Sequence, residues 1–317
     1  LATDARILIM DEPSAALSPR EVEGLFKVIE GLKASGIGII YISHRLDEIF
    51  TVADRVTFLR DGAHVGTRSI GDLTREAMIE LMVGRSIDQE YPKEVAEIGD
   101  VRLACQGMNR GAKVRNVTLS IRRGEILGLT GLVGSGRTET VRLLFGADKP
   151  ESGIIKLDGK TLHLRSPRDA ISAGICLLTE DRKAQGLVLG QTILENFGLP
   201  NLKSFSRYNW IDRGRERSSM VDHGKKLQIK MTGPDQVAAT LSGGNQQKVV
   251  LAKWLERNAE VLLFDEPTRG IDVGAKYEIY QLMNRLAAQG KAILMISSEL
   301  PEVLGMSDRI VVMHEGQ

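Results

Sequence analysis

Leu8-Ile9-Met10-Asp11-Glu12-Pro13 recurs 254 residues further on as Leu262-Leu263-Phe264-Asp265-Glu266-Pro267. At the same displacement, without a gap, Ile42-Ser43 matches Ile296-Ser297, Leu46 matches Leu300, Asp54-Arg55 matches Asp308-Arg309 and Gly62 matches Gly316. One Asp-Glu-Pro can arise twice by chance, but not a whole register, so the chain carries two copies of one unit. Each copy reads as strand, loop, helix, strand, helix, strand. The helix after the first Asp-Glu-Pro sets Val22, Leu25, Phe26, Ile29 and Leu32 near a 3.6-residue period. Ile37 to Ile42 and Ala292 to Ile296 are continuous apolar runs, the pattern of parallel strands buried on both faces. An α/β fold follows, with a mainly parallel core sheet.

The copies differ in extent. The strand Ile7 to Met10 opens within ten residues of Leu1, with no earlier element to pair with. The chain is therefore expected to hold the tail of one domain and most of a second. At roughly 150 residues per domain, 317 residues suit two. Residues 1–66 read as the C-terminal part of the first domain and 67–97 as an interdomain segment. That segment holds a polar helix from Leu73 to Met82 and then Tyr91-Pro92. Residues 98–317 form the second domain. Within it, Val101 to Ile121 and Ile154 to Leu164 read as strands, Asp158-Gly159 is a hairpin signal, and Thr192 to Ile229 is charged and helical in character.

Composition narrows the function. Lys plus Arg total 42 against 41 Asp plus Glu, a net charge of +1, which argues against a basic groove for nucleic acid. Cys105 and Cys176 stand far apart among apolar neighbours and build neither a disulfide framework nor a zinc site. No apolar stretch approaches the roughly 18 residues that cross a bilayer. His64, His163, His223 and His314 lack metal-ligand spacing and read as surface residues. Trp210, Trp254 and the methionines read as packing.

The chemistry begins where the strand Glu125 to Thr130 runs into Gly131-Leu132-Val133-Gly134-Ser135-Gly136-Arg137-Thr138, ahead of a helix from Glu139 to Phe145. Strand, glycine-rich loop and helix make a P-loop, in which backbone N–H groups wrap phosphate at a helix N-terminus. The spacing fits G-x-x-x-x-G-K-[ST] except that Arg137 takes the lysine position, while Thr138 remains for Mg²⁺. A guanidinium is broad and planar where an ammonium is a compact point charge. Losing one placed stabilising group costs on the order of 10²–10³ in rate, so this loop is expected to hold nucleotide and hydrolyse it poorly. Asp11-Glu12 and Asp265-Glu266 each close an apolar strand, where open α/β sheets bind ligands. In each pair the first acid suits a Mg²⁺ shell and the second an attacking water. Leu241-Ser242-Gly243-Gly244-Asn245-Gln246-Gln247-Lys248 precedes a helix through Val249, Val250, Leu251 and Trp254, and can present N–H groups to an anion.

Together these motifs resemble the nucleotide-binding subunits of ABC transporters over nearly the whole chain. Gly131 to Thr138 is similar to Walker A, Leu241 to Gln246 to the ABC signature, and Asp265-Glu266 to Walker B. The wording is closer still to the tandem ATPase subunit of bacterial monosaccharide importers of the ribose, galactose, arabinose and xylose type. Glu180-Asp181-Arg182-Lys183 with Gly186-Leu187, Asp-Glu-Pro-Thr-Arg-Gly-Ile-Asp and Ile-Ser-Ser-Glu-Leu-Pro-Glu resemble that branch's second domain. Leu73-Thr74-Arg75 through Met82-Val83-Gly84-Arg85 resembles its interdomain segment. The resemblance implies an ABC ATPase fold with an antiparallel β-subdomain and a helical subdomain, and a tandem repeat.

It also implies two unequal ATP sites, each shared between one domain's P-loop and the other's signature. Glu12 would be the base of the first, Asp11 its metal acid and His44 its γ-phosphate sensor, with Ser242, Gly243, Gly244, Asn245 and Gln246 completing it. The second would use Gly131, Gly134, Ser135, Gly136, Arg137 and Thr138, with Asp265 for the metal and Glu266 as base. It departs from the pattern at Arg137, at Ser298 where the first copy has His44, at Glu180 in the Q-loop glutamine position, and in lacking an aromatic near Met108 to Val114. The implied cofactors are ATP and Mg²⁺. The implied partners are membrane permease subunits, part of whose docking surface is the helical insert, and a periplasmic sugar-binding protein, with the chain peripheral at the cytoplasmic membrane face. A ribosome-associated tandem ATPase, a nucleotide-holding pseudo-ATPase, and a nucleoside or other small polar cargo are the alternatives.

Overall fold

The computed structural model describes residues 5–14, 17, 19–43, 45–60, 62–83, 91–208 and 210–317. They divide into two compact units, one of residues 1–90 with 272–274, the other of 91–271 with 275–317.

In the first unit, β1 (Ile7–Asp11) pairs in parallel with β2 (Gly38–Ile42) through α1 (Pro19–Ala34). The α1 periodicity is real: Val22 and Ile29 face inward. After α2 (Leu46–Val52), β3 (Arg55–Arg60) and β4 (Ala63–Ser69) form an antiparallel hairpin, followed by α3 (Arg75–Val83). β2 corrects one expectation. Its apolar run predicts burial on both faces, yet Ile40 is 51% and Ile42 46% exposed. Among the described residues β1 and β2 form a two-stranded sheet, so each has a neighbour on one side only.

The second unit has three layers. β5 (Val101–Arg110), β6 (Val114–Arg122), β8 (Ser152–Leu157) and β9 (Lys160–Leu162) make an antiparallel sheet in the order β6-β5-β8-β9. Asp158 and Gly159 turn the β8–β9 hairpin with φ 48° and 75°, the left-handed pair that a two-residue hairpin demands. Beside it lies the core sheet, with β7 (Ile126–Gly131), α4 (Arg137–Leu144), α5 (Pro167–Ser172) and β10 (Ile175–Leu178) leading into it. The order is β10-β13-β14-β7-β15, every pair parallel. β13 (Val261–Asp265) and β14 (Ala292–Ile296) are buried along their whole length, flanked on both sides and covered by α9 (Gly243–Glu256), α10 (Val273–Ala288) and α11 (Leu300–Met306). β15 (Arg309–Met313) closes the edge. The same run that lies half bare in β2 is a core strand in β14, because a strand's burial is decided by its neighbours.

The helical layer comprises α6 (Ile193–Gly198), α7 (Leu202–Phe205) and α8 (Arg213–Lys226). Thr192 and Glu195 cap α6 reciprocally, and Asp212 caps α8. The stretch from Thr192 to Ile229, expected to be helical in character, also holds a short hairpin of β11 (Ser206–Arg207) and β12 (Trp210–Ile211). Trp210, expected in the core, is 82% exposed on that hairpin, whereas Trp254 is buried edge-on to Phe145. His223 is not a surface residue either: it packs on Phe197, and its Nε2 lies 3.0 Å from Glu256. Tyr91 to Glu97 runs along the second unit, Tyr91 against Tyr280 and Lys93 paired with Asp308 at 2.9 Å.

Candidate nucleotide site

The chain leaves β7 at Gly131 and re-enters regular structure at Arg137, so the glycine-rich loop lies between a core strand and a helix N-terminus. Gly131 adopts φ 150°, where a Cβ would strike the Met313 carbonyl, and Gly136 adopts φ 99°, where a Cβ would strike the Lys113 carbonyl. Only glycine fits at either place. Gly316 N–H holds the loop from outside by donating to the Ser135 carbonyl at 2.9 Å. The Ser135 hydroxyl is buried without a hydrogen-bond partner among the described residues. A cradle that admits only glycine and contains an orphaned hydroxyl fits a phosphate chain.

Thr138 follows on the first turn of α4, and its Oγ1 donates to Asp265 Oδ1 at 3.3 Å. Asp265 ends β13 and is buried, which pushes its carboxyl up to about 6. A hydroxyl and one carboxylate are what a polyphosphate-bound Mg²⁺ takes from protein, so Thr138 and Asp265 fit that ion.

Glu266 follows at φ 50°, and its N–H donates to the Ile296 carbonyl at 3.0 Å. Glu12 repeats this at φ 45°, donating to the Ile42 carbonyl at 2.9 Å. Both copies thus hold their glutamate in the same left-handed pose, a conformation with a cost for a non-glycine residue. Burial raises the Glu266 carboxyl above its ordinary range; hydrogen bonds from Ser298 and the charge of Arg137 act against that rise.

Arg137 lies among these residues, 8% exposed. Its Nη1 donates to the Ser297 carbonyl at 2.8 Å and stands 3.6 Å from Glu266 Oε1. Ser298 Oγ donates to Glu266 Oε2 at 3.2 Å. Two departures from the pattern therefore converge: the P-loop arginine is turned onto the loop after β14 and onto the candidate base, and the serine at the histidine position binds that base from its other oxygen.

Glu180, expected near the nucleotide, is ion-paired with Arg269. Ser242 caps α9, Asn245 Nδ2 donates to Ser242 Oγ at 2.9 Å, and the Gln246 amide is buried and donates to the Ala238 carbonyl. Gly243 lies against the Arg182 guanidinium, which binds the carbonyls of Arg269 and Gly270 at 3.0 and 3.3 Å. No hydrogen bond or ion pair among the described residues joins Ser242 to Gln246 with the P-loop. Asp11 ends β1 in the first unit and Glu12 follows it; His44 lies outside the described residues.

The sequence reading missed a buried acid. Glu302 accepts a hydrogen bond from Thr268 Oγ1 at 2.7 Å, and burial keeps its carboxyl well above the usual range. Its counterpart Glu48 accepts from Ser14, Tyr41 and Ser43 at 2.7, 2.7 and 3.2 Å. The signal was present, since Leu46 and Glu48 share the repeat register with Leu300 and Glu302.

Phosphate cradle, hydroxyl–carboxylate pair and parallel sheet define a P-loop nucleotide-binding cassette. Residues 114–269, just under half of the chain, match the family described as ABC transporter. It is 49% identical over 317 residues to the ribose import ATP-binding protein RbsA of Geobacillus kaustophilus, covering 100% of this chain and 64% of that protein. It is 51% identical over 316 residues to the protein of the same name from Bacillus licheniformis, with the same coverage. The chain thus spans 64% of the length of these relatives. Among solved structures, a nucleotide-free ATP-binding cassette from an ABC transporter aligns with a TM-score of 0.60 and 23% identity, covering 69% of this chain and 89% of that one. A dimeric post-hydrolysis cassette bound to ADP and Pi aligns with a TM-score of 0.58 and 22% identity, covering 68% and 95%. These share the fold.

Proposed function

We propose that the chain acts as the ATP-binding subunit of a monosaccharide importer, with domains at 1–66 and 98–317 joined by 67–97. Its P-loop holds nucleotide and hydrolyses it poorly. The observation that carries this reading is the Arg137–Glu266 pair, whose polar groups are 3.6 Å apart. A base already paired with a cation and hydrogen-bonded by Ser298 is poorly placed to polarise water, and the cation it binds is withdrawn from the phosphates. Mg²⁺, when bound, would neutralise phosphate charge; Thr138 and Asp265 would hold it, while the loop amides and Ser135 orient the phosphate chain. Turnover would then belong to a site built on Asp11, Glu12 and His44.

Near 50% identity to ribose import proteins over the whole chain supports sugar as cargo. It likewise supports permease subunits and a periplasmic sugar-binding protein as partners, and a place at the cytoplasmic membrane face. No helix among the described residues is long and apolar enough to cross a membrane. A groove of about 320 Å³ beside α6 and α8, lined by Val188, Leu199, Leu202 and Arg213 among others, is a suitable seat for a permease segment.

The test is Mg-ATP binding at equilibrium beside steady-state hydrolysis by the same chain. Saturable binding with turnover at background is expected. Failure to bind, or a turnover that Glu266→Gln abolishes, would overturn the reading.

A further inference from the structure

A polyphosphate carries several negative charges, and a loop that binds it through backbone amides gains most from one cation placed over it. Arg137 holds the sequence position for that role, but its charge is spent on the Ser297 carbonyl and Glu266. Another cation stands at the loop. The β5–β6 turn, Gly111-Ala112-Lys113, packs so tightly on the glycine-rich loop that only a glycine at 136 clears the Lys113 carbonyl. The Lys113 side chain continues over the loop, its Nζ 3.9 Å from where a Cβ on Gly134 would stand.

The arginines that flank it in the chain are engaged: Arg110 pairs with Asp148, and Arg115 donates to the Glu315 carbonyl. Lys113 is exposed, and its ammonium makes no hydrogen bond or ion pair among the described residues. The Ser135 hydroxyl, in the same loop, is 5% exposed and equally without a partner. A free donor above the loop and an orphaned hydroxyl within it call for the same ligand, an oxyanion.

We propose that Lys113 is the phosphate-binding cation of this site, taking over from the β5–β6 turn the contact that Arg137 has left. The inference rests on the reading that the P-loop holds nucleotide. It gives the degenerate Walker A a substitute lysine from another element of the fold. Because an ammonium on a four-carbon stem is compact and mobile, it can follow phosphate oxygens where a buried guanidinium cannot.

The test is equilibrium binding of a fluorescent ATP analogue with Mg²⁺, by the whole chain and by Lys113→Ala and Lys113→Arg. Unlabelled ATP, inorganic tripolyphosphate and adenosine serve as competitors. Lys113→Ala should weaken ATP and tripolyphosphate about 10- to 100-fold, the range of one charge-assisted contact, and flatten the salt dependence. Adenosine should compete equally against both proteins, and Lys113→Arg should retain most of the affinity. The position is exposed, so thermal melting should coincide for all three. Parent-like ATP affinity in Lys113→Ala would overturn the proposal while leaving the nucleotide-holding reading intact. An equal loss for adenosine would overturn it too, by placing the lysine on the nucleoside. A parent chain that binds no nucleotide overturns both.

Discussion

Arg137 and Glu266 face each other across 3.6 Å, each at least nine-tenths buried, with the Ser297 carbonyl and the Ser298 hydroxyl completing their contacts. A pair taken this far from water is costly to break from one side, because the remaining charge stays buried. Arg137→Ala should lose about 3–5 kcal/mol in urea denaturation. Adding Glu266→Gln should recover part of the loss, since the orphaned charge goes with it. A double variant whose losses simply add would show that the two groups do not interact.

Thr138 and Asp265 meet only through one hydroxyl, so their contribution to binding should run through the metal. In titration calorimetry, Thr138→Val should reduce ATP affinity in Mg²⁺ to the value the parent shows in EDTA. Affinity measured in EDTA should not change. An equal loss under both conditions would place Thr138 on the nucleotide itself.

Burial raises the Glu302 carboxyl above its ordinary range and so favours the neutral form, which a neutral amide should replace well. Glu302→Gln should stay within about 1 kcal/mol of the parent in urea. Glu302→Ala strands the Thr268 hydroxyl and opens a cavity, and should lose about 2–4 kcal/mol. A glutamine variant as unstable as the alanine variant would mean that the native acid is ionised.

Lys253 lies 5.1 Å over the Trp254 ring and donates to the Gly186 carbonyl, and burial lowers it from 10.5 to about 8. Above pH 8 the folded protein therefore binds fewer protons than the unfolded chain at this residue, and stability rises with pH by up to about 1.4 kcal/mol per unit. Burial pushes Cys105 and Cys176 up to about 11 and 12, so stability falls above pH 9 on their account. Urea midpoints at pH 7.5 and 8.5 isolate the lysine: the parent should gain over Lys253→Met between the two. Parallel profiles would refute the shift.

The repeat, the glycine-rich loop and the two acid pairs were legible because each depends on local spacing. Asp158-Gly159 turned as its chemistry requires for the same reason. The direction of Arg137 was not legible, since it is set by a carbonyl on β14's far loop and by Glu266, 160 and 129 positions away. Nor was Lys113, which no motif contains and which matters only because the β5–β6 turn lies on the loop. Ile40 and Trp210 failed for one reason: burial belongs to the surroundings of a residue, and one row of letters does not list them.

Glu12 and Glu266 share a strained backbone pose at equivalent places, although the side chains around the second differ from those expected around the first. The two copies are thus one chassis with different fittings. At this turn what separates them is written in exchangeable side chains, Ser298 standing where the first copy has His44, and not in the backbone pose of the glutamate. An arrangement of that kind lets a copy change its role by substitution alone, without the fold having to be found again.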